Sequence, residues 1–365
     1  MLDAIVIGGG PAGLSAATWL SRYRRAVLVL DSGQTRNRWV DDAHGYLGTD
    51  PLHPDDFLGR ARRQLDGYPE TRIRSAEVVA ARRHDDGAFA VEVEAETLLA
   101  RRLVLAVGVE DVFPEVENFF EHYGASVFHC PTCDGYEAKG RDVVAFGWSA
   151  NITGFALTLL GWAKSVTVVT DGRRFEGDDE DRRQLNGQGV AILEDEAVEL
   201  LGERGHLVGV RLGREGVVDC ELAFFSIAHQ HRTALAEQLG CALTEEGSIQ
   251  VDLEGATTVP GVYAAGDVTP GLQLVQVAAA KGTIAGVACA QSLQGKKRAM
   301  TDTENQPEDE ASAAEAEPAG ERVDALDADI ERVRQRVDDS IDQGGPRFID
   351  SGEEDPVDDM IVPPG

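Results

Sequence analysis

A glycine-rich turn near the start of the chain places the strongest constraint on its fold. Gly8, Gly10 and Gly13 form the pattern G-x-G-x-x-G between an apolar run, residues 4–7, and an apolar, alanine-rich stretch, residues 14–23, that we predict to be a helix. The first glycine permits a tight turn, the second lets the backbone approach a pyrophosphate, and the third lets the helix pack on the strand. The free N–H groups at the start of the helix attract phosphate oxygens. The pattern therefore predicts a dinucleotide-binding unit.

An acid in the expected place supports this interpretation. A second apolar run, residues 26–30, ends at Asp31, 18 residues after Gly13. A carboxylate at that strand end can accept hydrogen bonds from a ribose diol. Because the glycine turn, the helix and the acid occur in this order, the signal is much more specific than the glycine pattern alone.

Later segments predict a second unit of the same type and an α/β fold. Residues 142–146, 152–163 and 166–170 repeat the order strand, helix, strand. Residues 262–268 then predict a strand that ends in a glycine–aspartate turn, and residues 275–293 predict a long helix. Two such units imply two Rossmann-like domains, each built on a parallel sheet.

Composition excludes several classes of function. The formal charge of the 365 residues is −30, and from residue 301 onward 21 Asp and Glu against five Arg give −16. Such an acidic chain repels nucleic acids and anionic membranes. The sequence has no apolar stretch near the ~20 residues of a membrane span and no basic region of a signal peptide. We expect a cytoplasmic protein in which Cys220, Cys241 and Cys289 are reduced and buried.

The last 70 residues form a separate acidic tail. We expect disorder in residues 301–320, which are rich in Ala, Glu and Pro and lack aromatic residues. Apolar residues then repeat at helical spacing from Val323 to Ile341, which predicts an amphipathic helix over about residues 321–342. A helix of this length is marginal alone, so it should dock on the rest of the chain, on a second copy or on a partner.

Two cysteines in the middle of the chain raise the central chemical question. Cys130 and Cys133 are two residues apart, preceded by His129 and followed by Asp134. A zinc site needs four ligands, usually from a second pair that this chain lacks. A structural disulfide over so short a loop would constrain almost nothing. The spacing therefore favours a redox-active pair, and Asp134 could carry a proton to or from a departing thiolate.

In these motifs, residues 2–293 resemble the low-molecular-weight thioredoxin reductases, which are FAD-dependent disulfide oxidoreductases. The resemblance rests on residues 8–13 (G-G-G-P-A-G), residues 130–135 (C-P-T-C-D-G) and residues 262–268 (V-Y-A-A-G-D-V). It implies a homodimer and an FAD domain, residues 1–111 and 238–295, interrupted by a redox and nicotinamide-type domain, residues 112–237. Residues 296–365 form the tail.

The resemblance also implies roles for individual residues. Cys133 would lie nearer the flavin, and Cys130 would attack the external disulfide. The implied contacts with FAD are Gly8, Gly10, Pro11, Ala12, Gly13, Asp31, Gly108, Gly266, Asp267, Gln276 and Val277. Asp267 would hold the ribityl chain, and Gln276 and Val277 would lie at the isoalloxazine.

The chain departs from this family where NADPH should bind. The family has a second loop, G-x-G-x-x-A, followed by a basic stretch for the 2′-phosphate. Here the loop is residues 147–152 (G-W-S-A-N-I), and the next strand ends at Asp171, with Arg173 and Arg174 displaced by about two residues. We expect this domain to keep its fold and its nicotinamide site to be lost or altered, which leaves NADPH or NADH open as electron donor.

Several functions therefore stay open. The first is a thioredoxin reductase-like enzyme that moves electrons among FAD, the cysteine pair and a thioredoxin-like protein or small disulfide. The second is a flavin dithiol oxidase that uses oxygen and no nicotinamide, and residues 44–48 (H-G-Y-L-G) resemble that subgroup, whereas Asp134 is the reductase-type acid. A ferredoxin-dependent reductase is a third, and a flavoprotein sensor or docking partner is the non-enzymatic alternative.

Overall fold

The computed structural model describes residues 1–84, 86–94 and 96–294. The predicted tail, with its helix at about residues 321–342, lies outside the described residues. The helices are α1 Pro11–Arg22, α2 Pro54–Leu65, α3 Phe119–His122, α4 Pro131–Asp134, α5 Asn151–Leu159, α6 Asp179–Gly187, α7 Ala234–Leu239 and α8 Val275–Ser292, and a 3-10 helix covers Gly135–Ala138.

The strands lie between these helices, singly or in consecutive runs. They are β1 Leu2–Ile7, β2 Val27–Asp31, β3 Thr71–Ser75, β4 Val78–Arg83, β5 Phe89–Val93, β6 Glu96–Leu105, β7 Val109–Val112, β8 Val127–Phe128, β9 Asp142–Phe146, β10 Ser165–Val169, β11 Ala191–Leu193, β12 Ala197–Glu203, β13 His206–Leu212, β14 Val217–Asp219, β15 Leu222–Phe225, β16 Ala228–His231 and β17 Val262–Ala264.

The first sheet has the strand order β3-β2-β1-β6, and these strands are parallel. Strands β5 and β4 continue it antiparallel from one half of β6, and β17 pairs parallel with the other half. The strands β1 and β2 are buried on both faces, as expected for a parallel sheet covered by helices. Helices α1 and α8 pack together on one face, where Gly282 and Gly286 of α8 permit close approach to the α1 backbone.

The second sheet is formed by the intervening part of the chain. Its order is β11-β10-β9-β15-β8, with every pair parallel. Helix α5 covers one face, where its Ile152 shares a core with Phe224 of β15, and the antiparallel sheet β12-β13-β14 packs on the other face. The prediction of a mixed α/β fold with parallel sheets is confirmed. The boundaries of the two predicted domains stay a prediction.

A two-stranded ladder joins the segments that connect the two sheets. β7 follows the first sheet, β16 follows the second, and the two pair antiparallel from Ala228 opposite Val112 to His231 opposite Val109. Their sequences, V-E-D-V and A-H-Q-H, lack the apolar runs from which the other strands were predicted.

Most of the predicted elements lie within a few residues of the observed ones. The first helix begins at Pro11 instead of residue 14, because Gly10 has extended backbone and Pro11 opens the helix. The second predicted helix ends at Leu159 instead of residue 163. None of the helices in residues 1–84, 86–94 and 96–294 is long and apolar enough to cross a membrane.

Candidate active site

A cavity of about 690 Å³ opens at the carboxyl ends of the strands of the first sheet. Its walls come from the glycine turn after β1, the acid that ends β2, the glycine after β6 and the glycine–aspartate turn after β17. Cys133 and Asp134 of the redox turn complete one side. Small-molecule sites in proteins commonly have this size, and ligands bind open parallel sheets at this edge.

The glycine turn has the tight geometry that its sequence predicts. A Cβ atom on Gly13 would lie 1.9 Å from the carbonyl oxygen of Gly8, so only glycine lets α1 start this close to β1. Gly8 itself has a φ of +110°. A Cβ atom on Gly10, by contrast, would have no neighbour nearer than 4.0 Å, and Gly10 faces the cavity at the start of α1. The turn therefore offers open backbone and a helix N-terminus to an anion.

Asp31, the last residue of β2, lies beside this turn. One carboxylate oxygen accepts a hydrogen bond from the Gly33 backbone N–H at 2.9 Å, and the other accepts one from Arg62 at 2.7 Å. Each oxygen keeps a second lone pair. Asp31 is therefore held in place and can still accept hydrogen bonds from a ligand hydroxyl.

Arg36 connects the cavity wall to the ladder between the sheets. Its guanidinium binds Asp111 of β7 through two hydrogen bonds of 2.9 and 2.6 Å. The same side chain donates to Asp267 at 3.2 Å and to Gln273 at 2.7 Å. Burial raises the pKa of Asp267, and the charge of Arg36 offsets part of this effect. Arg36 therefore neutralises two carboxylates at the wall of the cavity.

The predicted redox pair is a disulfide in this structure. Cys130 and Cys133 are joined, and their Cα atoms are 5.2 Å apart. The turn is fixed by its backbone, because the N–H groups of Cys133 and Asp134 donate to the carbonyl of Cys130 at 3.1 and 3.0 Å. Cys133 lies in the cavity wall, whereas Cys130 is half-buried and outside that wall.

Asp134 is a buried acid beside the disulfide. Only 6% of its surface is exposed. Its pKa is raised from 3.8 to about 7, mainly by burial and to a smaller extent by the negative charge of Glu137, while the charge of His44 partly opposes the change. A carboxyl group with such a pKa can both hold and release a proton near neutral pH.

His129 is a second buried titratable group in the cavity wall. Its Nδ1 atom lies 3.0 Å from the hydroxyl of Tyr123. The pKa of His129 is lowered to about 4, mainly by burial and partly by the charge of Arg36. The imidazole is therefore neutral at neutral pH.

The structure brings most of the predicted site residues to one cavity. Its wall includes Gly8, Gly10, Pro11, Ala12, Asp31, Gly108, Gly266, Asp267, Cys133 and Asp134. Gly13 lies behind the wall, in the turn. Gln276 and Val277 lie at the start of α8 but outside the wall, and the Gln276 side chain accepts a hydrogen bond from the Leu47 backbone N–H at 3.2 Å.

Side chains pack on and within the loop at residues 147–152. The Arg173 guanidinium lies over the Trp148 ring, 3.9 Å from its centroid, and so joins the loop to the segment after β10. Ile152 is fully buried, and its Cδ1 atom lies 2.7 Å from the position of a Cβ on Gly147. Asp171 accepts a hydrogen bond from the Ala197 backbone at 3.2 Å.

Sequence reasoning missed two residues of the site, Arg36 and Glu137. Arg36 lies between β2 and α2, in a stretch with no helical or strand periodicity, and Glu137 follows the redox turn. The available signal for both was a charge close in sequence to a recognised motif, which is too weak to assign a contact. His44 was noted only as part of residues 44–48, without a role of its own.

Comparison with known proteins agrees with this arrangement. The protein-family profile described as pyridine nucleotide-disulphide oxidoreductase matches residues 2–282. Thioredoxin reductase tcpT of Claviceps purpurea is 35% identical over 305 residues, which cover 78% of this chain and 92% of the relative.

Solved structures show the same fold. An oxidoreductase from Agrobacterium tumefaciens is 34% identical with a TM-score of 0.72, and the match covers 80% of this chain and 98% of that one. The protein HlmI is 33% identical with a TM-score of 0.75, over 80% of this chain and 92% of that one. The described chain thus has the fold of the low-molecular-weight thioredoxin reductases. It belongs to the pyridine nucleotide-disulphide oxidoreductase family and is an FAD-dependent disulfide oxidoreductase.

Proposed function

We propose that the protein moves electrons between FAD and an external dithiol or disulfide through the Cys130–Cys133 pair. The observation that carries this proposal is the cavity that the redox turn shares with the glycine turn and Asp267. A disulfide in the wall of a dinucleotide site can exchange electrons with a cofactor bound there. FAD, when bound, supplies a two-electron acceptor and donor.

The described residues fit FAD. The open side of Gly10 and the start of α1 suit the pyrophosphate, and Asp31 suits a ribose diol. Asp267, already held by Arg36, would accept a hydrogen bond from the ribityl chain. Gln276 would act indirectly in this proposal, since its side chain binds Leu47.

The chain's own residues account for the thiol chemistry. A thiolate of the external dithiol attacks one sulfur of the Cys130–Cys133 disulfide, and the S–S bond breaks as the other cysteine leaves as a thiolate. The second thiol of the substrate then displaces the attached cysteine, so that one disulfide is exchanged for another. Asp134, whose raised pKa lets it hold a proton near neutral pH, would give a proton to the departing thiolate of Cys133 and remove it again when the pair is reoxidised.

A second candidate concerns the electron partner. The Trp148–Arg173 stack and the buried Ile152 occupy the loop at which a nicotinamide nucleotide would bind. This observation favours a dithiol oxidase that passes electrons from the flavin to oxygen without NADPH or NADH. A thioredoxin-like protein and a small dithiol both remain candidate substrates. A homodimer and a cytoplasmic location remain predictions from the resemblance and the sequence.

The test is an anaerobic titration of the purified flavoprotein with NADPH, NADH and dithiothreitol in turn, followed at the flavin absorption band. Bleaching by dithiothreitol and recovery in air, with no bleaching by either nucleotide, is the result we expect. Rapid bleaching by a nucleotide would instead support a reductase. If none of the three bleaches the flavin, ferredoxin or a non-enzymatic role becomes the leading explanation.

A matched pair of variants ties the result to the redox pair. Cys133→Ser should abolish bleaching by dithiothreitol, whereas Cys220→Ser, at a buried thiol beside the second sheet, should keep it. Equal bleaching in the two variants would contradict the proposal.

A further inference from the structure

A short closed loop from the first sheet reaches the redox turn. Residues 43–52 are closed by two backbone hydrogen bonds between Ala43 and Leu52, of 2.8 and 2.9 Å. Inside the loop, the Gly45 N–H donates to Asp50 at 3.0 Å, and the Leu47 N–H donates to Gln276 of α8. The loop is therefore tied both to itself and to the first sheet layer, and it holds His44 in the cavity wall.

His44 is paired with a carboxylate at each ring nitrogen. Its Nδ1 atom lies 2.9 Å from Asp50, and its Nε2 atom lies 3.5 Å from Glu137 of the 3-10 helix that follows the redox turn. The side chains of His44, Glu137 and Asp50 are 27%, 32% and 51% exposed. Every member of this cluster is therefore in contact with solvent, and Asp50 is the most exposed of the three.

Glu137 also lies close in the chain to the buried acid Asp134. It lies one helical turn after Asp134, in the continuous segment of α4 and the 3-10 helix. One Glu137 oxygen faces His44, and the other is buried without a hydrogen-bond partner among the described residues. Asp134, Cys133 and His44 share the cavity wall.

The charges that face these groups are those of the cluster itself. Burial opposes protonation of His44, but Asp50, Glu137 and Asp134 together raise its pKa above 6.5. The same cluster acts on Asp134, because Glu137 raises its pKa and His44 lowers it. The titration of each group therefore depends on the proton held by the other.

We propose that His44 and Glu137 form a proton relay that connects Asp134 beside the redox pair to solvent, with Asp50 as the residue that orients the His44 ring. The relay rests on the function proposed above, since it serves the thiol chemistry of Cys130 and Cys133. His44, Glu137 and Asp50 are positioning residues, because they act through Asp134.

The proton balance of the reaction requires such a path. Exchange between an external dithiol and the protein disulfide transfers two electrons and two protons to the cysteines. When the S–S bond forms again, the pair loses two electrons and two protons; FAD, when bound, would take up both electrons and one of the protons. The other proton must leave the site, and Asp134, which is buried, can hold it only until it passes onward to water. The His44 ring has two nitrogens that face different carboxylates. It can therefore accept a proton at one nitrogen and release one at the other.

The kinetic test uses the holoenzyme and dithiothreitol under anaerobic conditions, with the flavin reduction rate measured by stopped flow as a function of pH. His44→Gln and Glu137→Gln should each slow the reduction about tenfold at neutral pH, less than the 10²–10⁴ of a direct acid–base group, and should shift the pH profile. In His44→Ala, free imidazole should restore the rate.

The chain supplies a matched control for this experiment. His84 lies 3.0 Å from Asp86, in a surface pair of the same kind on the turn between β4 and β5. His84→Gln should leave the rate and the pH profile unchanged. Wild-type profiles in both His44→Gln and Glu137→Gln would overturn the relay, as would imidazole failing to restore His44→Ala.

A second measurement needs no turnover. The His44 resonance can be identified among the eight histidines by its absence in His44→Gln, and its pKa can be followed by ¹⁵N NMR in the oxidised protein. Glu137→Gln and Asp50→Asn should each lower that pKa, and an unchanged value in both variants would overturn the relay. If dithiothreitol fails to reduce the wild-type flavin, the proposed function fails, and the NMR titration still decides whether the cluster is coupled.

Discussion

Replacing Asp134 by asparagine should make the stability of the folded protein less dependent on pH. In the folded state the pKa of Asp134 is raised from 3.8 to about 7, mainly by burial and partly by the charge of Glu137. Because the folded pKa lies above the unfolded one, the folded state binds this proton more tightly. The resulting stabilisation is complete below the unfolded pKa and is lost as the pH rises through the folded pKa.

The size of the effect follows from the two pKa values. The change from 3.8 to about 7 corresponds to about 4 kcal/mol once the group is ionised, at about 1.4 kcal/mol per pKa unit. Between about pH 5.5 and about pH 8 the wild-type protein should lose about 2 kcal/mol of unfolding free energy relative to Asp134→Asn. The stability of the variant should exceed that of the wild type most at the alkaline end.

Urea unfolding of the oxidised proteins at several pH values, followed by tryptophan fluorescence, measures this difference. Glu245→Gln, at an exposed carboxyl far from the redox turn in sequence, is the control and should follow the wild-type curve in parallel. If the difference between Asp134→Asn and wild type is constant across this pH range, Asp134 is not a buried acid with a raised pKa, and its assignment as a proton carrier loses its basis.

Three further predictions test the packing of the site. Gly13→Ala should abolish FAD binding, because the new Cβ would lie 1.9 Å from the Gly8 oxygen. The control Gly154→Ala, in helix α5, has no neighbour within 4 Å of the new Cβ, so it should retain FAD and gain about 0.5–1 kcal/mol of unfolding free energy. Flavin content and thermal unfolding test both expectations. Trp39→Ala should cost about 2 kcal/mol in urea unfolding, because the indole packs on Phe120 with ring centroids 5.0 Å apart, and an unchanged midpoint would refute this. A thiol reagent should label no cysteine in the oxidised native protein, two cysteines after reduction, and five after reduction and unfolding. The reason is that the three free cysteines are buried. Labelling of a third thiol in the reduced native protein would contradict this prediction.

The cofactor turn and the parallel strands could be predicted because their signals are local. Gly8, Gly10 and Gly13 are required by contacts within one strand–turn–helix unit, so the sequence spacing alone identifies them. The buried strands are continuous apolar runs, which is the pattern of a parallel sheet covered on both faces. Asp134 was predicted as a proton carrier from its position after Cys133, and its burial gives a physical reason for that role.

The contacts missed from the sequence are those between distant segments. Arg36 meets Asp111 and Asp267, which are 75 and 231 residues away. β7 and β16 pair across more than 100 residues, with polar residues that show no strand pattern. Gln276 was expected at the flavin because the start of the last helix lies there in similar proteins, but its hydrogen bond to Leu47 depends on the path of a loop over 200 residues away. No local pattern encodes such pairings.

The connection between β2 and α2 links the two sheets at the site. Within it, Arg36 binds the β7 ladder, Trp39 packs against the core beside the second sheet, and His44 pairs with Glu137 after the redox turn. Arg204, from the turn between β12 and β13, adds a hydrogen bond to the Trp39 carbonyl at 3.2 Å. A rotation that carried the redox turn away from the cavity would break the His44–Glu137 pair and would separate Trp39 from the core beside the second sheet. The same connection that holds the disulfide at the cavity therefore opposes its removal, which favours a substrate that comes to the pair where it lies.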